Sequence, residues 1–253
     1  YDAQLISAGG GVFLRSAKSI AITPQMQARF AIQAERLAPN DLISALLKAP
    51  VDLIWNGGIG TYVKSSKESH ADVGDKANDA LRVNGCELRT KVFGEGGNLG
   101  MTQLGRVEFG LAGGAGNTDF IDNAGGVDCS DHEVNIKILL GEIVAAGDMT
   151  EKQRNQLLAQ MTDDVAALVL ANNYKQTQAL SLAERRARER LPEYKRLMAA
   201  LETAGKLDRA LEFLPGDDEL NERAANGRGL TRAELAVLIS YSKIDLKEAL
   251  LRS

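Results

Sequence analysis

The sequence has few cysteines and histidines, no long apolar run and no excess of positive charge. The two cysteines, Cys86 and Cys129, lie far apart among 253 residues and fit neither a disulfide framework nor a Cys-x-x-Cys metal site. This cysteine usage favours a reducing cytoplasm. The two histidines, His70 and His132, are too few to suggest the three or four converging ligands of a metal centre, so no metal site is predicted.

The charge and the hydropathy pattern exclude two further classes of protein. A formal net charge of −4 argues against a general nucleic-acid-binding protein, which needs a basic face. No apolar run approaches the ~18 residues of a membrane span, and residues 1–11 lack the basic start and apolar core of a signal peptide. We therefore expect neither a nucleic-acid partner nor a membrane partner.

Three segments of the first half share one pattern: an apolar run, a loop rich in glycine and asparagine, and a helical stretch. The predicted strands are 51–55, which is apolar enough to be buried on both faces, 90–93 and 118–121. The candidate ligand contacts in the loops are Asn56 and Gly57, then Glu95, Gly97 and Asn98, then Asn123 and Gly125. Alternating strands and helices predict a parallel α/β sheet, in which ligands bind beyond the carboxyl ends of the strands.

The chemistry of these loops points to a particular class of ligand. An asparagine side chain offers a donor and an acceptor, and glycine lets a flat ligand approach the backbone. For any one loop, a plain turn is the alternative, because Asn-Gly is a common turn dipeptide. Three such loops at one sheet edge favour a nucleotide-type ligand that carries ribose hydroxyls and an amide.

The second half of the chain is predicted to be helical. Strand patterns disappear after about residue 140, and capping-box patterns occur at Ser130, Thr150, Ser181 and Thr231. We therefore divide the chain into a partial dinucleotide-binding, Rossmann-like domain (1–140) and an α-helical C-terminal region (141–253).

Ser130 is the candidate for binding a carboxylate, because a serine at a helix N-terminus can act together with the free N–H groups of the first turn. The spacing alone favours the alternative, in which Ser130 merely caps its helix. Two neighbours are weaker candidates for chemistry. His132 lacks an obvious nucleophile as partner, and no nearby sequence feature lowers the pKa of Cys129.

Three stretches resemble one family: VDLIWNGGIGTYV, TKVFGEGGNLGMTQLGR and NTDFIDNAGGVDCSDHEVNIK. They are similar to the large-subunit, NAD-specific glutamate dehydrogenases of bacteria, and the similarity continues through the helical half. The resemblance implies oxidative deamination of L-glutamate by NAD and water to 2-oxoglutarate, ammonium and NADH. It implies that Asn98 lies along the cofactor, that Asn123 lies near the nicotinamide ribose and carboxamide, and that Ser130 contacts the distal carboxylate of glutamate.

The resemblance also implies what this chain does not contain. The catalytic lysine and aspartate of the family, and the turn that holds the pyrophosphate, are expected upstream of Tyr1. We therefore expect no catalytic residue in this segment, no activity of the segment alone, and a homo-oligomeric, cytoplasmic full-length enzyme. The alternative is a non-catalytic helical interaction or oligomerisation module with a vestigial nucleotide-binding half.

Overall fold

The computed structural model describes residues 2–252; residues 1 and 253, the outer ends of the two predicted regions, lie outside the described residues. The helices are α1 (Pro24–Phe30), α2 (Pro39–Leu47), α3 (His70–Val73), α4 (Gln103–Leu111), α5 (Asp119–Asp122), α6 (Ala124–Ala145), α7 (Glu151–Gln160), α8 (Thr162–Arg185), α9 (Leu191–Thr203), α10 (Asp217–Ala225) and α11 (Arg232–Arg252). The strands are β1 (Ile20–Ala21), β2 (Arg36–Leu37), β3 (Leu53–Asn56), β4 (Val63–Lys64), β5 (Val83–Asn84), β6 (Val92–Glu95) and β7 (Ala115–Gly116). Among these helices, none is both long enough and apolar enough to cross a membrane.

A parallel sheet of β3, β6 and β7, in that order, organises the first half. Leu53 pairs with Val92, and Val92 pairs in turn with Ala115. The loops that follow β3 and β6 therefore leave the sheet at the same edge. The α/β class with parallel pairing is confirmed, and the described residues beyond 140 form helices and connecting segments without strands.

The first strand of this sheet is less buried than its apolar sequence predicts. Leu53 and Trp55 are 54% and 59% exposed. The prediction of a strand buried on both faces is wrong, because β3 lies at the edge of the sheet and β6 takes the central position.

The prediction of a third strand over 118–121 is also wrong. The strand is β7, and Thr118 instead precedes the short helix α5. A buried Ile121 explains the difference, because its side chain packs into the core formed by the later helices. The side chain of Asn117 also donates a 2.7 Å hydrogen bond to Asp122 Oδ1, which closes the backbone into a turn.

Two of the four capping boxes are correct. Thr150 and Gln153 cap α7 reciprocally, and the hydroxyl of Thr231 accepts the Glu234 N–H at the start of α11. Ser130 and Ser181 lie inside α6 and α8, so these two predictions are wrong. The helix around Ser130 begins six residues earlier, at Ala124, so its first-turn N–H groups are not beside Ser130.

The helical half has its own core, built from α8, α9, α10 and α11. Its most deeply buried side chains are Leu180, Met198, Leu220, Leu235 and Leu238. Since Ile121 joins this core from α5, the end of the α/β part is packed directly onto the helices. The predicted boundary at residue 140 falls within α6.

A buried ion pair closes the helical core at the start of α11. Glu234 is 0% exposed, and its Oε2 accepts hydrogen bonds from Arg223 Nη1 at 2.8 Å and from the Thr231 N–H at 2.7 Å. Within residues 2–252, the other carboxylate oxygen of Glu234 is buried without a hydrogen-bond partner. Arg223 also binds Glu219 at 2.6 Å.

We expect Glu234→Ala to destabilise the helical half strongly. The substitution leaves the buried charge of Arg223 without its buried partner, and breaking such a pair costs on the order of 3–5 kcal/mol. Hydrogen exchange over α10 and α11 should accelerate accordingly. The matched control is Glu222→Ala, because Glu222 is exposed and should change stability by no more than about 0.5 kcal/mol. Equal exchange in both variants would contradict the prediction.

Candidate functional site

The loops that follow β3 and β6 touch each other at the carboxyl edge of the sheet. The Gly97 N–H donates a 3.0 Å hydrogen bond to the carbonyl oxygen of Asn56. A Cβ atom at Gly97 would lie only 2.4 Å from the carbonyl oxygen of Gly58. Glycine is therefore required at position 97 for the two loops to pack.

The side chains of Asn98 and Asn123 meet at this edge. Asn123 Nδ2 donates a 2.7 Å hydrogen bond to Asn98 Oδ1. Asn98 is exposed and Asn123 is partly exposed. Asn123 arrives there from the junction of α5 and α6, and not from the end of a strand. The two asparagines that the sequence singles out thus form one pair, although by a different route from the one predicted.

The remaining loop residues take different positions. The Asn56 Oδ1 accepts the Gly58 N–H at 3.4 Å, and its Nδ2 is buried with no hydrogen-bond partner in the described part of the chain. Gly57 leaves room for a side chain, since an added Cβ would approach nothing nearer than Trp55 at 3.7 Å. Gly125 lies in the first turn of α6, where an added Cβ would reach Val169 at 3.8 Å.

The Glu95 carboxylate is buried and bonded to groups of the protein, so it is not free to bind a ligand. It is 1% exposed, and Arg106 contacts its two oxygens at 2.6 and 2.9 Å. The Met101 N–H adds a 3.0 Å hydrogen bond. Burial raises the pKa of Glu95, and Arg106 and the Met101 N–H oppose that rise. Burial also tends to lower the pKa of Arg106, but Glu95 and Asp119 outweigh this effect and keep the guanidinium charged.

Two acidic residues of α5, which the sequence reasoning did not select, hold the ends of β6 and its loop. Asp119 pairs with Arg106 at 3.1 Å and accepts the Leu99 N–H at 2.8 Å. Asp122 accepts the Glu95 N–H at 2.9 Å. Burial raises the pKa of Asp122, while hydrogen bonds from Asn117 and from Glu95 oppose the rise. No local sequence pattern indicated these partners, because the burial of Arg106 on α4 is seen only in the folded structure.

A chain of hydrogen bonds continues from this loop into the helical half. Asn117, which binds Asp122, accepts a 2.9 Å hydrogen bond from Arg232 Nε. Arg232 Nη1 in turn binds Glu184 of α8 at 2.6 Å. The charges of Glu184 and Arg232 therefore connect the helices to the end of β6.

Ser130 is exposed on α6, and its side chain makes no hydrogen bond within residues 2–252. It follows Asn123 by seven residues, nearly two helical turns, which corresponds to ~10 Å along the axis. A cleft of about 640 Å³ lies beside Asn123 between α6, α8 and α11, and Ser130 does not line it. Ser130 and Asn123 are therefore neighbours along the helix without touching.

Two residues near Ser130 are engaged in local contacts. His132 Nε2 lies 3.7 Å from Asp128 on the same helix. Partial burial and the nearby Glu133 raise the pKa of Cys129, which disfavours a thiolate nucleophile. Within residues 2–252, both cysteines are free and no acidic, histidine and cysteine side chains cluster into a possible metal site.

Comparison of the sequence with known proteins identifies its family. The family described as "Bacterial NAD-glutamate dehydrogenase, catalytic domain" matches residues 1–183, which include both glycine loops, Asn123 and Ser130. The chain belongs to this bacterial NAD-glutamate dehydrogenase family. The resemblance expected from the three sequence stretches is thereby confirmed.

Three relatives named NAD-specific glutamate dehydrogenase show how far the family similarity extends. The chain is 82% identical over 253 residues to that of Pseudomonas aeruginosa and 62% identical over 253 residues to that of Halomonas elongata. It is 50% identical over 257 residues to that of Mycobacterium tuberculosis. These alignments cover 99–100% of this chain and 16% of each relative. The chain thus spans a small part of the length of these dehydrogenases.

In this dehydrogenase segment, we expect Gly97→Ala to separate the two glycine loops. The new methyl group would overlap the Gly58 carbonyl, and such overpacking costs about 1–3 kcal/mol. Hydrogen exchange in segments 53–60 and 92–101 should accelerate. Gly57→Ala is the matched control, because its new methyl group meets only ordinary contacts and should leave exchange unchanged. Faster exchange in Gly57→Ala than in Gly97→Ala would refute this explanation.

Proposed function

We propose that this chain forms the nicotinamide side of the NAD site in an enzyme that oxidatively deaminates L-glutamate to 2-oxoglutarate and ammonium. The observation that carries the proposal is the Asn98–Asn123 hydrogen bond beside two touching glycine loops. Membership of the bacterial NAD-glutamate dehydrogenase family supports NAD as the dinucleotide. Relatives that share up to 82% identity carry the same specificity in their names.

The hydrogen-bonding groups left over by the asparagine pair fit an amide ligand. Asn98 Oδ1 is used by Asn123 Nδ2, which leaves Asn98 Nδ2 as a donor and Asn123 Oδ1 as an acceptor. Within residues 2–252, these two groups have no other protein partner. The nicotinamide carboxamide carries one acceptor oxygen and one donor nitrogen, so it complements this pair; a ribose hydroxyl does so as well.

The other predicted cofactor contacts divide into two groups. Gly57 and Gly125 have open space beside their backbone, where a flat ring could approach, whereas Gly97 and Asn56 are hydrogen-bonded to each other and would hold the two loops together. The carboxylate of Glu95 is occupied by Arg106, so we propose that Glu95 contributes by holding the shape of the loop. NAD, when bound, accepts the hydride, and the protein supplies position and electrostatics.

We propose that Ser130 binds the distal carboxylate of glutamate. Its hydroxyl is exposed and lies ~10 Å along α6 from Asn123, so cofactor and substrate would occupy successive positions along one helix. Because Ser130 lies inside the helix, its hydroxyl acts alone and not together with first-turn N–H groups.

For the full-length protein, we propose a homo-oligomer that works in the cytoplasm. Apolar side chains exposed on α6, namely Val134, Ile138 and Leu139, offer surface for further contacts. The free cysteines Cys86 and Cys129 agree with a reducing compartment.

Replacing Asn98 and Asn123 together by alanine in the full-length protein should weaken NAD binding by at least about tenfold. Each lost hydrogen bond contributes ~0.5–1.5 kcal/mol, and about 1.4 kcal/mol corresponds to tenfold in affinity. Calorimetric titration with NAD measures the change. The matched control is Asn135→Ala, an exposed asparagine further along α6, which should bind NAD as the unmodified protein does.

Undiminished NAD affinity in the double variant would overturn the assignment of the cofactor site. It would favour the alternative of a helical interaction module with a vestigial nucleotide-binding half.

The isolated chain, residues 1–253, should show no glutamate-dependent reduction of NAD. Two lysines agree with this expectation: Lys91 precedes β6 and pairs with Asp52 at 2.7 Å, at the edge opposite the asparagine pair. Lys137 pairs with Glu133 on α6. Spectrophotometry of NADH formation, with the full-length protein as positive control, measures the activity. Turnover by the isolated, folded chain would contradict the prediction.

A further inference from the structure

Leu99, the residue after Asn98, adopts an unusual backbone conformation. Its φ is +55°, in the left-handed region that is unfavourable for a residue with a branched apolar side chain. The side chain is 60% exposed, so burial in the core does not hold the residue there. Its N–H donates a 2.8 Å hydrogen bond to Asp119 Oδ2, while the flanking Gly97 and Gly100 are hydrogen-bonded through their backbone to Asn56 and Tyr62.

Asp119 contacts the residue that adjoins Asn98, and it contacts Asn123 directly. Its side chain accepts the N–H of Leu99, which adjoins Asn98. Its backbone carbonyl accepts the N–H of Asn123 at 2.8 Å. A single residue therefore holds both sides of the pair.

Asp119 is itself fixed in place. Its Oδ1 lies 3.1 Å from Arg106 Nη2 and accepts the Phe120 N–H at 3.0 Å. Arg106 is anchored in turn by its two hydrogen bonds to the buried Glu95. The carboxylate that holds Leu99 is thus held by charge and by geometry on its other side, and its side chain is only 14% exposed.

From these contacts, we infer that Asp119 is a positioning residue for NAD. It keeps Leu99 in the left-handed conformation and thereby sets the Asn98 amide against Asn123, ready for the amide or ribose of the nicotinamide half. Asp119 does not itself touch the cofactor. The inference rests on the proposed function of the asparagine pair.

The test starts from Asp119→Ala in the full-length protein. We expect the KM for NAD to rise about tenfold, which corresponds to ~1.4 kcal/mol, and the KM for glutamate to stay within about twofold. Asp148→Ala removes an equally charged, exposed residue between α6 and α7 and should leave both constants unchanged. A rise in the KM for NAD as small as that of Asp148→Ala would overturn the inference.

Rescue distinguishes positioning from general stability. Adding Leu99→Gly to Asp119→Ala should restore most of the NAD affinity, because glycine adopts positive φ without the penalty of a side chain. Leu99→Val, with Asp119 intact, should weaken NAD binding, because a β-branched residue resists that conformation. The Leu99→Val variant also keeps the idea testable if Asp119→Ala fails to fold. Absence of rescue, or unchanged NAD affinity in Leu99→Val, would count against Asp119 acting through Leu99.

The variant that lacks both Asn98 and Asn123 distinguishes failure of the role proposed for Asp119 from failure of the proposed cofactor site. Weak NAD binding without Asn98 and Asn123, together with normal binding without Asp119, would refute only the role of Asp119. Normal binding in both would refute the proposed cofactor site itself.

Discussion

The buried guanidinium of Arg106 is the interaction on which the edge of the sheet depends. It neutralises Glu95 at the end of β6 and Asp119 at the start of α5, two carboxylates that would otherwise repel each other in a poorly solvated place. A buried carboxylate without a cationic partner is strongly unfavourable. Because both acidic residues also receive backbone N–H groups, the position of the arginine fixes the path of the chain between β6 and α6.

The sequence predicts the chemistry of this edge better than it predicts the local structure. Asn98 and Asn123 do come together, as the repeated loops suggest. The segment before Asn123 is helical and not extended, because an apolar pair such as Phe120-Ile121 fits either structure and only long-range packing decides. The pattern at Ser130 fails for a related reason: Ser-x-x-Glu also occurs inside a helix that starts earlier.

The roles of three residues could not be predicted from the sequence, because their partners lie far from them along the chain: Arg106, Asp119 and Asn117. Arg106 reaches Glu95 across 11 positions, and Asn117 reaches Arg232 across 115. Charged residues on helices usually face solvent, so no local pattern separates a buried arginine from an exposed one. The backbone conformation of Leu99 could not be predicted either, since leucine is not a residue type associated with a positive φ.

Four residues are linked by polar contacts, which constrains how they can change in evolution: Glu184, Arg232, Asn117 and Asp122. Arg232 and Asn117 are partly buried, so a substitution at either position leaves a neighbour with an unmet polar group unless a second substitution follows. Divergence of helix α8 and of the end of β6 is therefore coupled. In lineages of these dehydrogenases, the four positions should change together or stay together, although Glu184 lies far in sequence from the glycine loops.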